Sequence, residues 1–324
     1  MSPPVSLHRD APGPARPRVS GKFFYVGDQK LYIRGVTYGT FRPRDECEFP
    51  EPLKVEQDFA AMADSSINAV RTYTAPPRWL LDVAQRHGLR VLAGLPAERY
   101  IGYLADGKRG APDMDDLVGS WLEECVGHPA VLGYSIGNEI PASIARWHGS
   151  RRVSSYLERV YRSVKERDPE APVTYADYPS TEYLSLPFLD FVCFNVFLES
   201  REKLDPYLAR LQSLSHDRPL LMGEIGLDAY RNGDEAQSRS LAWQIRACFE
   251  AGCAGLFVYS WTDEWYRGGA EVDDWSFGLT RRTREPKPAL PTVRDAFSGP
   301  VFGTDVDWPR ISVGVCTYNG SGTL

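Results

Sequence analysis

The chain has 324 residues, a formal net charge of -6, 43% hydrophobic and 12% aromatic residues. That length suits one closed α/β barrel of about 250 residues, or two average domains. The acidic balance, without a dense basic run, argues against nucleic acid as the main partner, and no apolar run reaches the roughly 18 residues that would predict a membrane segment.

Met1 to about Ser20 is rich in Pro and Arg and has no apolar h-region, so residues 1–20 read as a disordered leader, not a secretory signal. From Lys22 the pattern predicts a hairpin around Gly27-Asp28, with Phe23–Val26 against Lys30–Ile33. Strand and helix signals then alternate. Arg34–Tyr38 is the first apolar strand, and a helix over about 53–65 carries Val55, Phe59 and Met62 at helical spacing. The second strand is Ile67–Tyr73, with a helix running from near Pro77 to the stop at Gly88. The third is Leu89–Leu95, followed by a helix capped by Asp113. The fourth, Val131–Glu139, ends in a glutamate. A helical region over about 142–167 breaks near Gly149. The fifth and sixth strands are Val173–Asp177 and Phe191–Phe197, with a helix over about 203–214. The seventh, Pro219–Gly226, also ends in a glutamate, Glu224. A helix over about 235–251 leads to the eighth strand, Gly255–Trp261, and a last helix lies over about 289–297.

Eight β-then-α units with continuously apolar strands predict a (β/α)8 TIM barrel with an N-terminal β-hairpin, spanning residues 21–298. The rival, an open doubly wound sheet, calls for a Gly-rich phosphate loop after the first strand, and Gly35–Gly39 is not one. In a closed parallel barrel the C-terminal strand ends line the active site. The polar and aromatic residues there are Tyr38, Arg71, Tyr73, Asn138, Glu139, Asp177, Asn195, Glu224, Trp261 and Asp263. An unpaired buried carboxylate is costly, so two glutamates closing apolar strands point to one pocket with two carboxyl groups, the apparatus of retaining glycoside hydrolysis. Glu224 reads as the nucleophile and Glu139 as the acid/base. Arg71 is placed to hold the nucleophile ionised, Asn138 to bond a sugar 2-hydroxyl, and Trp261 to offer a flat apolar face to a pyranose. Tyr38, Tyr73, Asp177, Asn195 and Asp263 are further candidates for substrate contact. His8, His87, His128, His148 and His216 show no HxH or HExxH spacing, so neither a metal nor a cofactor is expected. The six cysteines are scattered without a CxxC pair and read as reduced thiols in a cytoplasmic setting.

Gly137-Asn138-Glu139, Gly223-Glu224 and Trp261 together resemble the clan of retaining (β/α)8 glycosidases over about residues 22–297. Trp275-Ser276-Phe277-Gly278-Leu279 and Pro286-Lys287-Pro288-Ala289-Leu290 are most similar to the catalytic domain of family 2 glycosidases. Val70-Arg71-Thr72-Tyr73 and Gly223–Gly226 resemble family 17 β-1,3-glucanases instead. The resemblance implies a β-linked oligo- or polysaccharide as substrate and a covalent glycosyl-enzyme intermediate. Two departures stand out. Family 2 enzymes carry β-sandwich domains ahead of the barrel, and here only some 20 residues precede the hairpin. The clan also takes a tyrosine for the nucleophile from the sixth strand or its loop, where this chain has Phe197; Tyr38 or Tyr73 must then supply the hydroxyl, or the nucleophile is less firmly held.

Trp308–Gly320 resembles the opening strand of family 2 glycosyltransferases. Residues 299–324 therefore read as a linker and the start of an attached transferase domain, the barrel being the front module of a fusion. A transglycosylase of the same mechanism, with Trp265 or Trp275 as acceptor platform, and a non-catalytic carbohydrate-binding barrel serving the transferase are the alternative functions.

Overall fold

The computed structural model describes residues 15–44, 47–104, 112–299, 301 and 312. Most of the leader and the transferase-like segment lie outside the described residues. Three short strands, β1 (Pro17–Ser20), β2 (Phe23–Val26) and β3 (Gln29–Leu31), form an antiparallel sheet in the order β1-β2-β3. The hairpin is thus one strand larger than predicted, and the leader ends earlier, because Pro17–Ser20 pairs along Phe23–Val26. Just ahead of it, Arg16 grips Asp168 through two hydrogen bonds of 2.7 and 2.9 Å.

Eight parallel strands follow: β4 (Ile33–Thr37), β5 (Ala69–Arg71), β6 (Arg90–Gly94), β7 (Val131–Asn138), β8 (Val173–Asp177), β9 (Val192–Asn195), β10 (Leu220–Ile225) and β11 (Gly255–Val258). They close in chain order, β11 pairing back onto β4, which is the predicted TIM barrel. Each overlaps its predicted strand, although Ile33 opens β4 where the hairpin was expected to end. The helices are α1 (Pro52–Asp64), α2 (Arg78–Arg86), α3 (Met114–Leu122), α4 (Ala142–His148), α5 (Ser150–Arg167), α6 (Arg201–Ser215), α7 (Ala229–Asn232), α8 (Asp234–Glu250) and α9 (Ala289–Ser298). Gly149 separates α4 from α5 with φ 85°, a left-handed conformation that favours glycine. Between β8 and β9 only a 3-10 turn occurs. A small hairpin, β12 (Tyr266–Arg267) with β13 (Ala270–Glu271), rises from the loop after β11.

Two apolar cores result. Ile33, Ala69, Leu92, Leu132, Leu221 and Phe257 fill the barrel interior, and Phe24 of the N-terminal sheet joins them against Phe191. The other core lies between strands and helices. Gly35 has no side chain because a Cβ there would overlap the Phe257 ring. Arg71, Asn138, Asp177, Asn195 and Glu224 stand at the C-terminal ends of their strands.

Candidate active site

Inward and outward positions alternate along these strands. On β10, Leu221 points into the barrel core and Met222 into the outer one, so strict alternation would turn Glu224 outward. The pairing register shifts between Met222 and Glu224, and on β7 between Ser135 and Asn138. Such irregularities re-aim side chains beside active sites. Both glutamate-bearing strands carry one. Glu139 itself has φ 44°, an uncommon left-handed backbone for a non-glycine residue, held by the Glu139 N–H to Ala176 carbonyl bond of 2.9 Å.

The result is one linked set of side chains. The Asn195 amide nitrogen donates to Glu139 Oε1 at 2.8 Å, to Glu224 Oε1 at 3.0 Å and to Asn138 Oδ1 at 3.0 Å. The two glutamate oxygens are therefore at most about 5.8 Å apart by the triangle rule, short of the ~6.5–9.5 Å that inverting chemistry needs for its water. Arg71, 1% exposed, donates through Nη1 to Asn195 Oδ1 (2.9 Å), the Gly223 carbonyl (2.7 Å) and Glu224 Oε1 (3.1 Å), and through Nη2 to Asn138 Oδ1 (2.7 Å). Gly223 must lack a side chain for this approach, since a Cβ would lie 2.9 Å from Arg71 Nη1 and 2.6 Å from Asn195 Oδ1. Tyr73, not Tyr38, supplies the hydroxyl: its OH donates to Glu224 Oε1 at 2.8 Å. Phe197, where the clan keeps its tyrosine, packs edge-on against Tyr259 and Phe277 instead.

The electrostatics differ from the sequence-based expectation. Burial pushes the Glu224 carboxyl up to about 7; Arg71 pulls it down and the neighbouring Glu139 charge pushes it further up, with Tyr73 also helping the ionised form. Arg71 acts in the predicted direction, but desolvation outweighs it. A third carboxylate, Glu98, was missed because it sits in a 3-10 turn (Ala97–Leu104) and not on a strand. It accepts the Asn138 backbone N–H at 3.2 Å, and burial raises its carboxyl to about 6. Glu98 lines a cavity of about 530 Å³ together with Tyr73, Asn138, Glu139, Arg99 and Trp265. Trp265, just ahead of the unforeseen β12–β13 hairpin, and Tyr266 and Arg267 on it line this cavity too.

Four predicted contact residues are occupied elsewhere. Tyr38 and Trp261 are each 1% exposed and turn into the outer core. There the Tyr38 hydroxyl and the Trp261 indole N–H both donate to Asp58, at 2.7 and 2.9 Å, and Arg284 completes the pairing. Trp261 consequently has no face to offer a sugar. Asp263 accepts from the Gly278 N–H (2.8 Å), the Ser276 hydroxyl (3.2 Å) and the buried Lys287 ammonium (3.4 Å), and so fixes the loop after β11. Asp177 accepts from the Tyr178 N–H and the Thr181 hydroxyl, closing its own loop. Five cysteines are unpaired thiols, Cys47 half-buried and Cys125, Cys193, Cys248 and Cys253 buried; Cys316 lies outside the described residues.

An eight-stranded barrel with two bridged carboxylates at its C-terminal mouth defines the class, a (β/α)8 glycoside-hydrolase barrel. Residues 18–299 match the TIM barrel domain of the glycosyl hydrolases family 2, and the chain belongs to that family. Among solved structures it is similar to a β-glucuronidase of Ruminococcus gnavus (18% identity, TM-score 0.71, covering 87% of this chain and 53% of that one). It is also similar to a family 2 β-galacturonidase of Eisenbergiella tayi bound to galacturonate (20%, TM-score 0.70, 87% and 54%). A β-glucuronidase of Faecalibacterium prausnitzii gives 20% identity and a TM-score of 0.70, with 89% and 52% covered. These likenesses establish the fold, and the chain spans about half the length of the structures it matches. No helix among the described residues is long and apolar enough to cross a membrane.

Proposed function

We propose that the chain is a retaining β-glycosidase, with Glu224 as nucleophile and Glu139 as acid/base. The observation that carries this is the single amide of Asn195 bonded to both carboxylates, which keeps the two bonded oxygens no more than about 5.8 Å apart, nearer to the ~5–5.5 Å of covalent double displacement than to the wider gap of inverting chemistry. In the first step Glu139 gives its proton to the glycosidic oxygen while Glu224 attacks the anomeric carbon and the alcohol departs. In the second, Glu139 takes a proton from water, which displaces the Glu224 ester. Among the described residues, Arg71, Tyr73 and Asn195 all converge on Oε1 of Glu224. Oε2 is then the oxygen that attacks. Asn138, held by Arg71 and Asn195, is the candidate for the sugar 2-hydroxyl. The substrate is a β-linked glycan, and the similarity of residues 308–320 to a transferase strand supports a role in trimming the product of an attached, cytoplasmic glycosyltransferase.

A panel of 4-nitrophenyl β-glycosides, followed by labelling with the 2-deoxy-2-fluoro analogue of the best substrate, tests the reading. Peptide mapping must find the label on Glu224; a label elsewhere, or no hydrolysis across the panel, overturns it.

The nucleophile must be ionised in the free enzyme, so kcat/KM falls about tenfold per pH unit below the raised value of about 7. Tyr73→Phe deletes a donor to the charged form. The acid limb then moves to higher pH, with kcat/KM at pH 6 down by about tenfold. A pH profile that Tyr73→Phe leaves in place would sink this assignment.

A further inference from the structure

Six aromatic side chains form a continuous run from the nucleophile to solvent. Tyr73, whose hydroxyl holds Glu224, meets Trp265 with ring centroids 5.2 Å apart. Trp265 meets Tyr259 at 5.1 Å and Trp275 at 6.3 Å. Phe277 lies 5.1 Å from Tyr259 and 6.1 Å from Trp275. Phe197 ends the run, 5.6 Å from Phe277 and 5.9 Å from Tyr259. The six form a cluster apart from both apolar cores. Tyr259 and Trp265 in the middle of the run are buried, Tyr73, Trp275 and Phe277 are half-buried, and Phe197 at its outer end is 41% exposed. At Gly226, just beyond β10, a Cβ would come 2.8 Å from the Tyr259 carbonyl oxygen, so the close approach of that backbone excludes a side chain, while the Phe277 and Phe197 rings lie at ordinary contact distance.

Exposed rings are tolerated singly on a protein surface, but an aromatic wall that begins at a reacting carboxylate has a chemical use. Pyranose rings present apolar C–H faces between their hydroxyls, and aromatic faces recognise them without demanding a particular hydroxyl pattern. The charged cavity lined by Glu98, Arg99 and Glu139 is suited to the opposite task, reading individual hydroxyls. Asp263 and Lys287 clamp the Trp275–Phe277 segment, so the wall is held in place before substrate arrives.

We propose that the wall formed by Trp275, Phe277 and Phe197 is a binding site for a further sugar ring of the substrate chain, beyond the one that reacts. The inference rests on the glycosidase reading above and makes the substrate an oligo- or polysaccharide, not a small glycoside. Chain length is then the diagnostic. With β-linked oligosaccharides of two to six units, built from the sugar that the aryl glycoside panel identifies, kcat/KM rises about tenfold or more once the added ring reaches the wall. Trp275→Ala and Phe197→Ala lose at least about tenfold more on the longest oligosaccharide than on the aryl monoside, and Trp275→Phe restores the length effect by keeping an aromatic face. Thermal midpoints of the variants separate misfolding from lost binding. A flat dependence on length in the parent enzyme, or variants that lose equally on both substrates, overturns the wall as a subsite. Failure to cleave any aryl glycoside would instead strike the glycosidase reading.

Discussion

Replacing Glu224 by glutamine lowers kcat/KM on the best aryl β-glycoside by roughly four orders of magnitude, while the protein stays folded. The magnitude follows from the proposed role, because removing a nucleophile typically costs about 10⁴-fold or more. The persistence of the fold follows from the site. The glutamine carbonyl still accepts from Tyr73 and Arg71, the partners of Glu224 Oε1. Linkage gives a second readout. The Glu224 carboxyl is raised from an ordinary value of 4.5 to about 7 by burial, so between these values the folded state binds more protons than the unfolded state. Stability therefore falls as pH rises through that window, because the fold must accommodate a buried charge. Glu224→Gln removes this dependence, and its thermal midpoint at pH 8 equals or exceeds that of the parent. Retention of activity within about tenfold would remove Glu224 from the chemistry; a collapsed fold at pH 8 would show that its charge serves structure instead. Glu139→Gln should differ in kind, losing less with a good leaving group, which needs no proton, than with a sugar leaving group.

The architecture was legible because apolar runs and helical spacing repeat eight times, and a buried parallel strand leaves little else for such a run to be. The carboxylates were legible for the same reason, each standing out at the end of an otherwise apolar strand. What strand ends do not tell is direction. Tyr38 shares its parity with Val36, and both face the outer core; alternation read from Gly35 could have predicted this. Glu224 fails in the opposite sense, since alternation sends it outward and only the register shift beside Met222 brings it back. That shift has no signature in residue type beyond Gly223, whose missing side chain admits Arg71. The displaced hydroxyl was half visible: Phe197 announced that a donor was missing, and Tyr73 stood two residues beyond Arg71, whose guanidinium reaches Glu224. Glu98 gave no such signal, and Trp265 was foreseen only as an acceptor platform. They sit in a turn and beside a small hairpin, where neither periodicity nor charge separates a wall of the site from solvated loop.

Arg71→Met destabilises the protein by about 3–5 kcal/mol at pH 8, the usual result of removing one partner of a buried ion pair, and abolishes activity with it. Methionine fills much of the space but carries no donor. Asn138 Oδ1, Asn195 Oδ1, the Gly223 carbonyl and Glu224 Oε1 each lose a bond, and Glu224 loses the cation that opposes its desolvation. Its carboxyl then titrates above about 7, so Glu224 is protonated at neutral pH and the destabilisation is smaller at pH 6 than at pH 8. Urea unfolding at the two pH values measures this directly. The double variant Arg71→Met/Glu224→Gln gives the decisive comparison. If the damage is an uncompensated buried charge, removing that charge recovers a large part of the lost stability at pH 8, and the two substitutions are far from additive. Additive losses would mean that Arg71 matters for the asparagines and the Gly223 carbonyl alone, and that Glu224 keeps its charge by other means.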